Sequence, residues 1–362
     1  MKKNTLLIQL FNFINYFLLN FFSFKGGKSN NLMFIQTGGI GDLVIFSKLV
    51  EVLKYLENYE VYFLIREEFS DLFEEYRIKK KIIPLKINKF RYNLFYRYSF
   101  IQYLKSLKIY EVYNLTSART AWNDCLALCI GANKTICNYN NWNTVYPSYK
   151  NSMHKKYDII LNKDIFNEYN RIDEVIKFLQ KAYNLNKIYN DNTESTVERK
   201  NDFFDLVIAP FSSENNRNWD IINFIKIVKK FESIYKILIV ISPSQEIEAK
   251  KHFIKFSVSF STDLYDLTEL KTVIANSKLF IGLDSGITHI ALTTNIKIIA
   301  IIGGGNYGRY LPKPNDFQTK YLFHQLDCFG CEWQCILKEK KCITKVTVER
   351  IYSAICQILE CD

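Results

Sequence analysis

The chain has 362 residues, 48% of them hydrophobic and 15% aromatic, with a formal net charge of +11. That length exceeds one ordinary core and fits two domains, and the composition excludes a disordered or collagen-like chain. The positive balance points to an anionic partner, whether a membrane surface, a nucleotide diphosphate or a nucleic acid, and no basic-aromatic nucleic-acid module is present, so nucleic acid ranks last.

Nine cysteines occur without a cleavable signal sequence, which favours a reducing compartment over a disulfide framework. Residues 6–24, LLIQLFNFINYFLLNFFSF, carry no charge and are flanked by Lys2, Lys3, Lys25 and Lys28. Gln9, Asn12, Asn15, Asn20 and Ser23 fall on one arc at helical spacing, so residues 1–28 are expected to form an amphipathic helix lying in a membrane interface. A spanning anchor and a helix packed on the protein itself are the alternatives, since such a helix is about 28 Å long.

A first strand, Leu32 to Gln36, opens into Thr37-Gly38-Gly39-Ile40-Gly41-Asp42 and a helix expected over Leu43 to Glu57. Glycines at Gly39 and Gly41 let a ligand approach the backbone, and Asp42 lies near the helix start. Capping the helix is the plainer role for that aspartate. Val61–Ile65, Ile82–Leu85 and Glu111–Leu115 read as further strands, and the β-α alternation argues for a parallel sheet. Thr116, Ser117 and Arg119 follow the last of these at a strand end, while 138–149 is irregular and Asn- and aromatic-rich.

Polar residues replace the apolar periodicity around 186–202, the best linker in the chain. It separates a domain over 29–185 from one over 203–345, with a closing helix in 346–362 expected to pack back on the first domain. Beyond the linker, Asp205–Pro210 starts a second β-α series. Ser212 and Ser213 suit phosphate oxygens, and Arg217 has a guanidinium fork able to bond two oxygens of a diphosphate; a solvated loop arginine is the alternative. Lys236–Ile241 is another buried strand, with Glu246 just after it, and Leu267–Ala275 reads as a helix.

The most informative stretch is LFIGLDSGITHIALTTNIKIIAIIGGG, Leu279 to Gly305. It reads as strand, tight turn, helix, strand and glycine-rich loop. Asp284, Ser285, Gly286 and His289 stand at the turn, where helix N–H groups favour an anion. Helix capping and a core histidine are the bland reading. Toward the C-terminus Cys328, Cys331, Cys335 and Cys342 follow a C-x2-C-x3-C-x6-C spacing, open to a structural zinc ion or to simple burial of small side chains.

The run DSGITHIALTTNIKIIAIIGG resembles the donor-binding signature of the lipopolysaccharide heptosyltransferases, glycosyltransferase family 9. Weaker patches at TGGIGD, at AP-FSSENNRNW and in the cysteine segment resemble the same family. Lys297, Lys48 and Asp220 stand where the family usually has proline, Arg217 where it has lysine, and Ser242 where it has glycine. The resemblance implies an α/β chain of two Rossmann-like domains facing across a cleft, the GT-B arrangement, with acceptor bound by the first and nucleotide sugar by the second. It implies an inverting transfer with Asp42 as catalytic base and Ser212, Ser213, Arg217, Glu246, Asp284, Ser285, Gly286 and His289 at the donor. Gly39, Gly41 and Arg119 fall on the acceptor side. No D-x-D triplet occurs in the chain, so no metal is expected to hold the diphosphate, and no cofactor beyond the nucleotide-sugar co-substrate. The expected donor is ADP-heptose and the acceptor a lipid-linked or lipopolysaccharide core glycan, at the cytoplasmic face of the inner membrane. A sugar-nucleotide epimerase of similar architecture and an inactive sugar-nucleotide-binding protein are the alternatives.

Overall fold

The structure is a computed structural model. It describes residues 29–74, 81–117, 119–139, 152–162, 165, 167–185, 204–261, 266–311 and 318–360. The expected membrane helix in 1–28, the linker at 186–202 and most of the loop after Asn138 lie outside the described residues. The chain divides into two compact units, Met1–Tyr189 and Asn190–Asp362.

Six parallel strands make the sheet of the first unit: β1 Asn31–Gln36, β2 Glu60–Arg66, β3 Lys81–Leu85, β4 Glu111–Asn114, β5 Lys134–Asn138 and β6 Ile159–Leu161. Their order is β3-β2-β1-β4-β5-β6. Helices α1 Ile40–Leu53, α2 Ser70–Glu74, α3 Ile87–Tyr92, α4 Leu94–Ser106, α5 Ala121–Leu128 and α6 Glu168–Ala182 connect or follow them. A parallel sheet must be covered on both faces, and the central strand shows it: Leu32, Met33, Phe34 and Ile35 are fully buried. Met33 and Ile35 join one core with Leu64, Ile101 and Leu126, while Phe34 stacks on Tyr113 at 4.6 Å on the other face.

The second unit repeats the plan. Its strands are β7 Leu206–Ala209, β8 Ile237–Ile239, β9 Val258–Phe260, β10 Leu279–Leu283, β11 Lys297–Ile301 and β12 Thr319–Leu322. They lie in the order β12-β11-β10-β7-β8-β9, again all parallel. Counted from each unit's own first strand, both sheets run 3-2-1-4-5-6, the doubly wound order. Its helices are α7 Ile221–Phe231, α8 Glu246–Phe253, α9 Leu267–Ala275, α10 Gly286–Ala291, α11 Lys341–Thr344 and α12 Val348–Leu359.

Two of these helices start on aspartate caps. Asp220 accepts from Ile222 N at 2.9 Å, and Asp266 accepts from Thr268 N and Glu269 N, each at 2.8 Å. Asp220 thus does at the start of α7 what a first-turn proline does elsewhere, namely fix the helix entrance. The closing helix α12, expected to pack on the first domain, has its buried face in the second unit's core. Ile351, Ala354, Ile355 and Ile358 form one apolar stripe, and that stripe belongs to the cluster holding Phe231, Leu279 and Ile299. Tyr352 stacks on Phe231 at 5.4 Å between centroids.

Candidate functional site

In a doubly wound sheet the loops after strands 1 and 4 leave in opposite directions, and their ends open a crevice for ligands. In the first unit those strands are β1 and β4; in the second they are β7 and β10. Most of the expected site residues sit at these two switch points.

At the first, Gln36 bridges the two strand ends. Its side chain donates to Leu115 O at 3.2 Å and accepts from Gly38 N at 2.9 Å. Thr37 N donates to the Thr116 hydroxyl at 3.2 Å, so Thr116 is buried as a brace across the gap. The helix begins at Ile40, three residues before the expected start, with Gly39 as its N-cap. Asp42 therefore sits in the first turn, where its Oδ2 accepts from Gly39 N at 3.0 Å. The capping role is real in this structure, and it fixes the carboxylate over the glycine turn. A Cβ at Gly38 would lie 2.6 Å from that same Oδ2, so the close approach of the carboxylate requires glycine there. Gly38 carries a stricter constraint than Gly39, whose Cβ would meet Asp42 Oδ2 only at 3.9 Å.

Arg119 is turned inward. It is 2% exposed, its Nε lies 2.9 Å from Asp124 Oδ1, and its Nη1 donates to Asn138 O at 2.6 Å. Tyr157 donates to the same aspartate at 2.8 Å and lies under the guanidinium. The arginine ties the end of β5 to α5, in place of the acceptor contact expected of it. Ser117 is likewise buried.

The second switch point gathers a different set. After β7, Ser212 N donates to Asn218 Oδ1 at 2.8 Å and its hydroxyl donates to Glu214 O at 2.7 Å. That folds residues 212–218 into a tight loop and brings Arg217 to the end of β10. Trp219 anchors the loop, buried with its Nε1 donating to Val346 O at 2.9 Å. Arg217 Nη1 lies 3.4 Å from Asp284 O and 3.9 Å from Asp284 Oδ1. Ser213 is exposed beside this loop.

Beyond β10, Ser285 is the N-cap of α10, and the first intrahelical bond runs from His289 N to Ser285 O at 3.3 Å. The N–H groups of Gly286, Ile287 and Thr288 precede it and have no acceptor within the helix. With six residues α10 carries little macrodipole, so those N–H groups themselves are what it offers an anion. His289 is 3% exposed, and burial, aided by the nearby Arg217 charge, pulls its pKa down to about 4. Burial raises the Asp284 carboxyl, with Arg217 opposing.

Three polar atoms of these side chains are buried with no hydrogen-bond partner among the described residues: Arg217 Nε, Asp284 Oδ1 and His289 Nδ1. Burying a polar atom unpaired costs about 1–3 kcal/mol, and three such atoms at one strand crossing mark a place built for something else to bind. A cation, a neutral imidazole and a carboxylate oxygen together offer donors to an anion and an acceptor to hydroxyls.

Glu246 is not drawn into this set. It opens α8 after β8 and pairs with Lys250 on its own helix. The three glycines after β11 pack closely against aromatic rings: Cβ atoms at Gly303 and Gly305 would lie 2.4 and 2.3 Å from the Trp333 ring, and one at Gly304 2.4 Å from Phe329. Cys328, Cys331, Cys335 and Cys342 line one pocket beside that loop, as free thiols. Among the described residues no group of three or more His, Cys, Asp or Glu side chains is placed to hold a metal ion. Sequence reading missed Gly38, Gln36 and Asn218, which act through backbone bonds that no motif displays.

Comparison with known proteins gives a family-level likeness. Residues 156–331 match the family model of glycosyltransferase family 9 (heptosyltransferase), a span that takes in the second switch point and leaves Asp42 outside. Lipooligosaccharide heptosyltransferase 2 of Campylobacter jejuni is 29% identical over 146 residues, which is 38% of this chain. The match spans 46%, about half, of that relative's length. Among solved structures, a glycosyltransferase family 9 protein from Veillonella parvula superposes with a TM-score of 0.67 at 15% identity, over 93% of this chain and 100% of the other. The E. coli heptosyltransferase WaaC with ADP-2-deoxy-2-fluoro heptose gives 0.65 at 13%, over 90% and 99%. These structural likenesses establish the shared fold. Over residues 156–331, just under half of its length, the chain is similar to glycosyltransferase family 9 (heptosyltransferase).

Proposed function

We propose that the protein is an inverting glycosyltransferase that moves a sugar, heptose from an ADP-activated donor, to a lipopolysaccharide-core or related lipid-linked acceptor at the cytoplasmic face of the inner membrane. The observation that carries this reading is the trio of unsatisfied buried atoms on Arg217, Asp284 and His289. A nucleotide diphosphate sugar answers all three. Its phosphate oxygens accept from Arg217 and from an imidazole N–H of His289, and a hydroxyl of the sugar donates to Asp284. The N–H groups at the start of α10 face the same phosphates.

In the proposed step the oxygen of an acceptor hydroxyl forms a bond to the anomeric carbon as the bond to the diphosphate breaks. The electron pair leaves with the nucleoside diphosphate, and the proton passes to Asp42. One displacement inverts the anomeric carbon. Arg217 and His289 meet the charge that grows on the leaving group, so the reading needs no metal at the diphosphate. Asp42, fixed over Gly38 by the Gly39 N–H, is the base.

The test is turnover with ADP-heptose, UDP-activated sugars and a heptose-deficient lipopolysaccharide acceptor, with and without a chelator. Release of ADP with glycosylated acceptor of inverted configuration, unaffected by the chelator, supports the reading. Recovery of an epimerised nucleotide sugar, or tight nucleotide binding with no turnover, overturns it.

A further inference from the structure

Helices α3 and α4 form a corner of the first unit whose outward side is apolar where a surface helix is ordinarily polar. Phe95 is 87% exposed, and Tyr92, Leu94, Tyr98 and Tyr103 are each about half exposed or more. The inward side of α4 has its own buried residues, Arg97, Ile101 and Leu104, so the exposed rings are surplus to the core. Contiguous exposed apolar surface of this kind marks an interaction site.

The corner is held rigidly. Arg97 is 1% exposed and directs its guanidinium at the last carbonyls of α3, with Nε donating to Phe90 O at 2.8 Å and Nη2 to Arg91 O at 2.7 Å. Asn93 caps α4 by accepting from Tyr96 N at 2.9 Å. The exposed rings therefore project from a fixed frame.

Charge identifies what they meet. Between residues 86 and 110 there are six Lys and Arg residues and no Asp or Glu. Lys89 and Lys108 are exposed, and Arg91 and Lys105 half-buried, beside the aromatic residues. The first described residues of the chain, which follow the apolar stretch 6–24 in sequence, bond at this same place. Ser29 donates to the Lys108 carbonyl at the end of α4, and Asn31 Nδ2 donates to Leu107 O at 2.6 Å. That stretch carries no charge of its own, so it cannot supply counter-ions to the basic residues. A bilayer with acidic headgroups supplies both an apolar boundary for the rings and phosphates for the cations.

We infer that the outward face of α3 and α4 is a membrane-docking surface for acidic phospholipid bilayers. Leu94, Phe95 and Tyr98 enter the boundary between headgroups and acyl chains, and Lys89 and Arg91 pair with lipid phosphates. The surface stands whether or not the donor reading holds, because vesicles contain no nucleotide sugar.

The full chain is tested against vesicles of pure phosphatidylcholine and of equal parts phosphatidylethanolamine and phosphatidylglycerol. Wild type should bind the anionic vesicles more tightly and lose binding as salt rises. Phe95→Ser with Tyr98→Ser should weaken that binding about ten- to thirtyfold, from the lost apolar contact. Lys89→Glu with Arg91→Glu should remove most of the preference for anionic lipid. Phe95, Tyr98 and Lys89 are exposed, Arg91 is half-buried and none of the four lies at the donor switch point, so circular dichroism and nucleotide affinity should stay at wild-type values. A benzoylphenylalanine photo-crosslinker at position 95 should label lipid. Wild-type vesicle binding by both double variants, or crosslinking from position 95 to residues 1–28 or to a second copy, overturns the proposal.

Discussion

Acidification isolates the buried imidazole. His289 has its pKa pulled down to about 4 by burial and by Arg217, against an ordinary value of 6.5. Unfolding returns the ring to water. Between pH 6.5 and 4 the unfolded chain then binds more protons at this position than the folded one, so stability falls as pH falls through that window. The gap of about 2.5 units, at about 1.36 kcal/mol each, removes about 3 kcal/mol by the bottom of the window. Asp284 works in the other direction. Its carboxyl is raised by burial, so the folded state gains from acidification near its own titration. Comparing wild type with His289→Gln cancels that common contribution, since the glutamine does not titrate. Urea unfolding followed by circular dichroism from pH 7 down to about 4.5 should show the wild type losing stability relative to the variant, with the gap widening as pH drops. Saturating ADP should narrow the gap, because the bound diphosphate favours the imidazolium. Parallel curves for the two proteins would refute a buried neutral histidine at this position.

Arg217→Ala should weaken ADP binding about ten- to a hundredfold in calorimetry, the value of a charge-assisted bond of about 1.5–3 kcal/mol, and Arg217→Lys should lose less by keeping the charge. Unchanged affinity in both would remove Arg217 from the donor site. Asp42→Asn should lower turnover by a factor of about 10²–10⁴ while leaving ADP affinity and melting temperature near wild type, since asparagine can still accept from Gly39 N–H. Normal transfer by this variant would leave Asp42 as a helix cap alone. Gly38→Ala should displace the Asp42 carboxylate, with a loss of about 1 kcal/mol in stability from the broken cap and a larger loss in turnover. An alanine variant as active as wild type would mean that the carboxylate position is unimportant.

The sequence displayed the strands that are buried on both faces. Leu32–Gln36, Leu279–Leu283 and Ile296–Ile302 are apolar runs with no polar side chain other than Gln36 and Lys297, and they became β1, β10 and β11. Two strands away from the sheet centres, β5 and β12, did not announce themselves. β5 reads KTICN, and its polar members are satisfied by partners far along the chain, as where Asp158 accepts from both Thr135 N and Oγ1. β12 reads TKYL and is half exposed throughout, so it has no apolar run to show. The helix 267–275 was visible because Asp266 caps it and its stripe is regular. The closing helix was visible too, but a stripe says that a helix is buried and not against what. At the site, the D-S-G-x-x-H spacing pointed to Asp284 and His289, and both are buried near Arg217. Arg119 misled because an arginine after a strand looks the same whether it faces a ligand or an internal aspartate.

The doubly wound order also governs how the chain emerges during synthesis. β1 is made first but sits in the middle of its sheet, and the bond from Gln36 to Leu115 at its β4 side spans 79 residues. At about 5–20 residues per second the ribosome takes roughly 4–16 s to deliver that partner. Throughout that interval the β4-facing edge of β1 leaves its backbone N–H and C=O groups unpaired, the kind of edge that captures other chains. The second unit repeats the wait, with β7 preceding β10 by the whole of β8, β9 and three helices. A central first strand gives each unit its switch point, and it also gives the nascent chain two periods of exposure in which holding factors have something to hold.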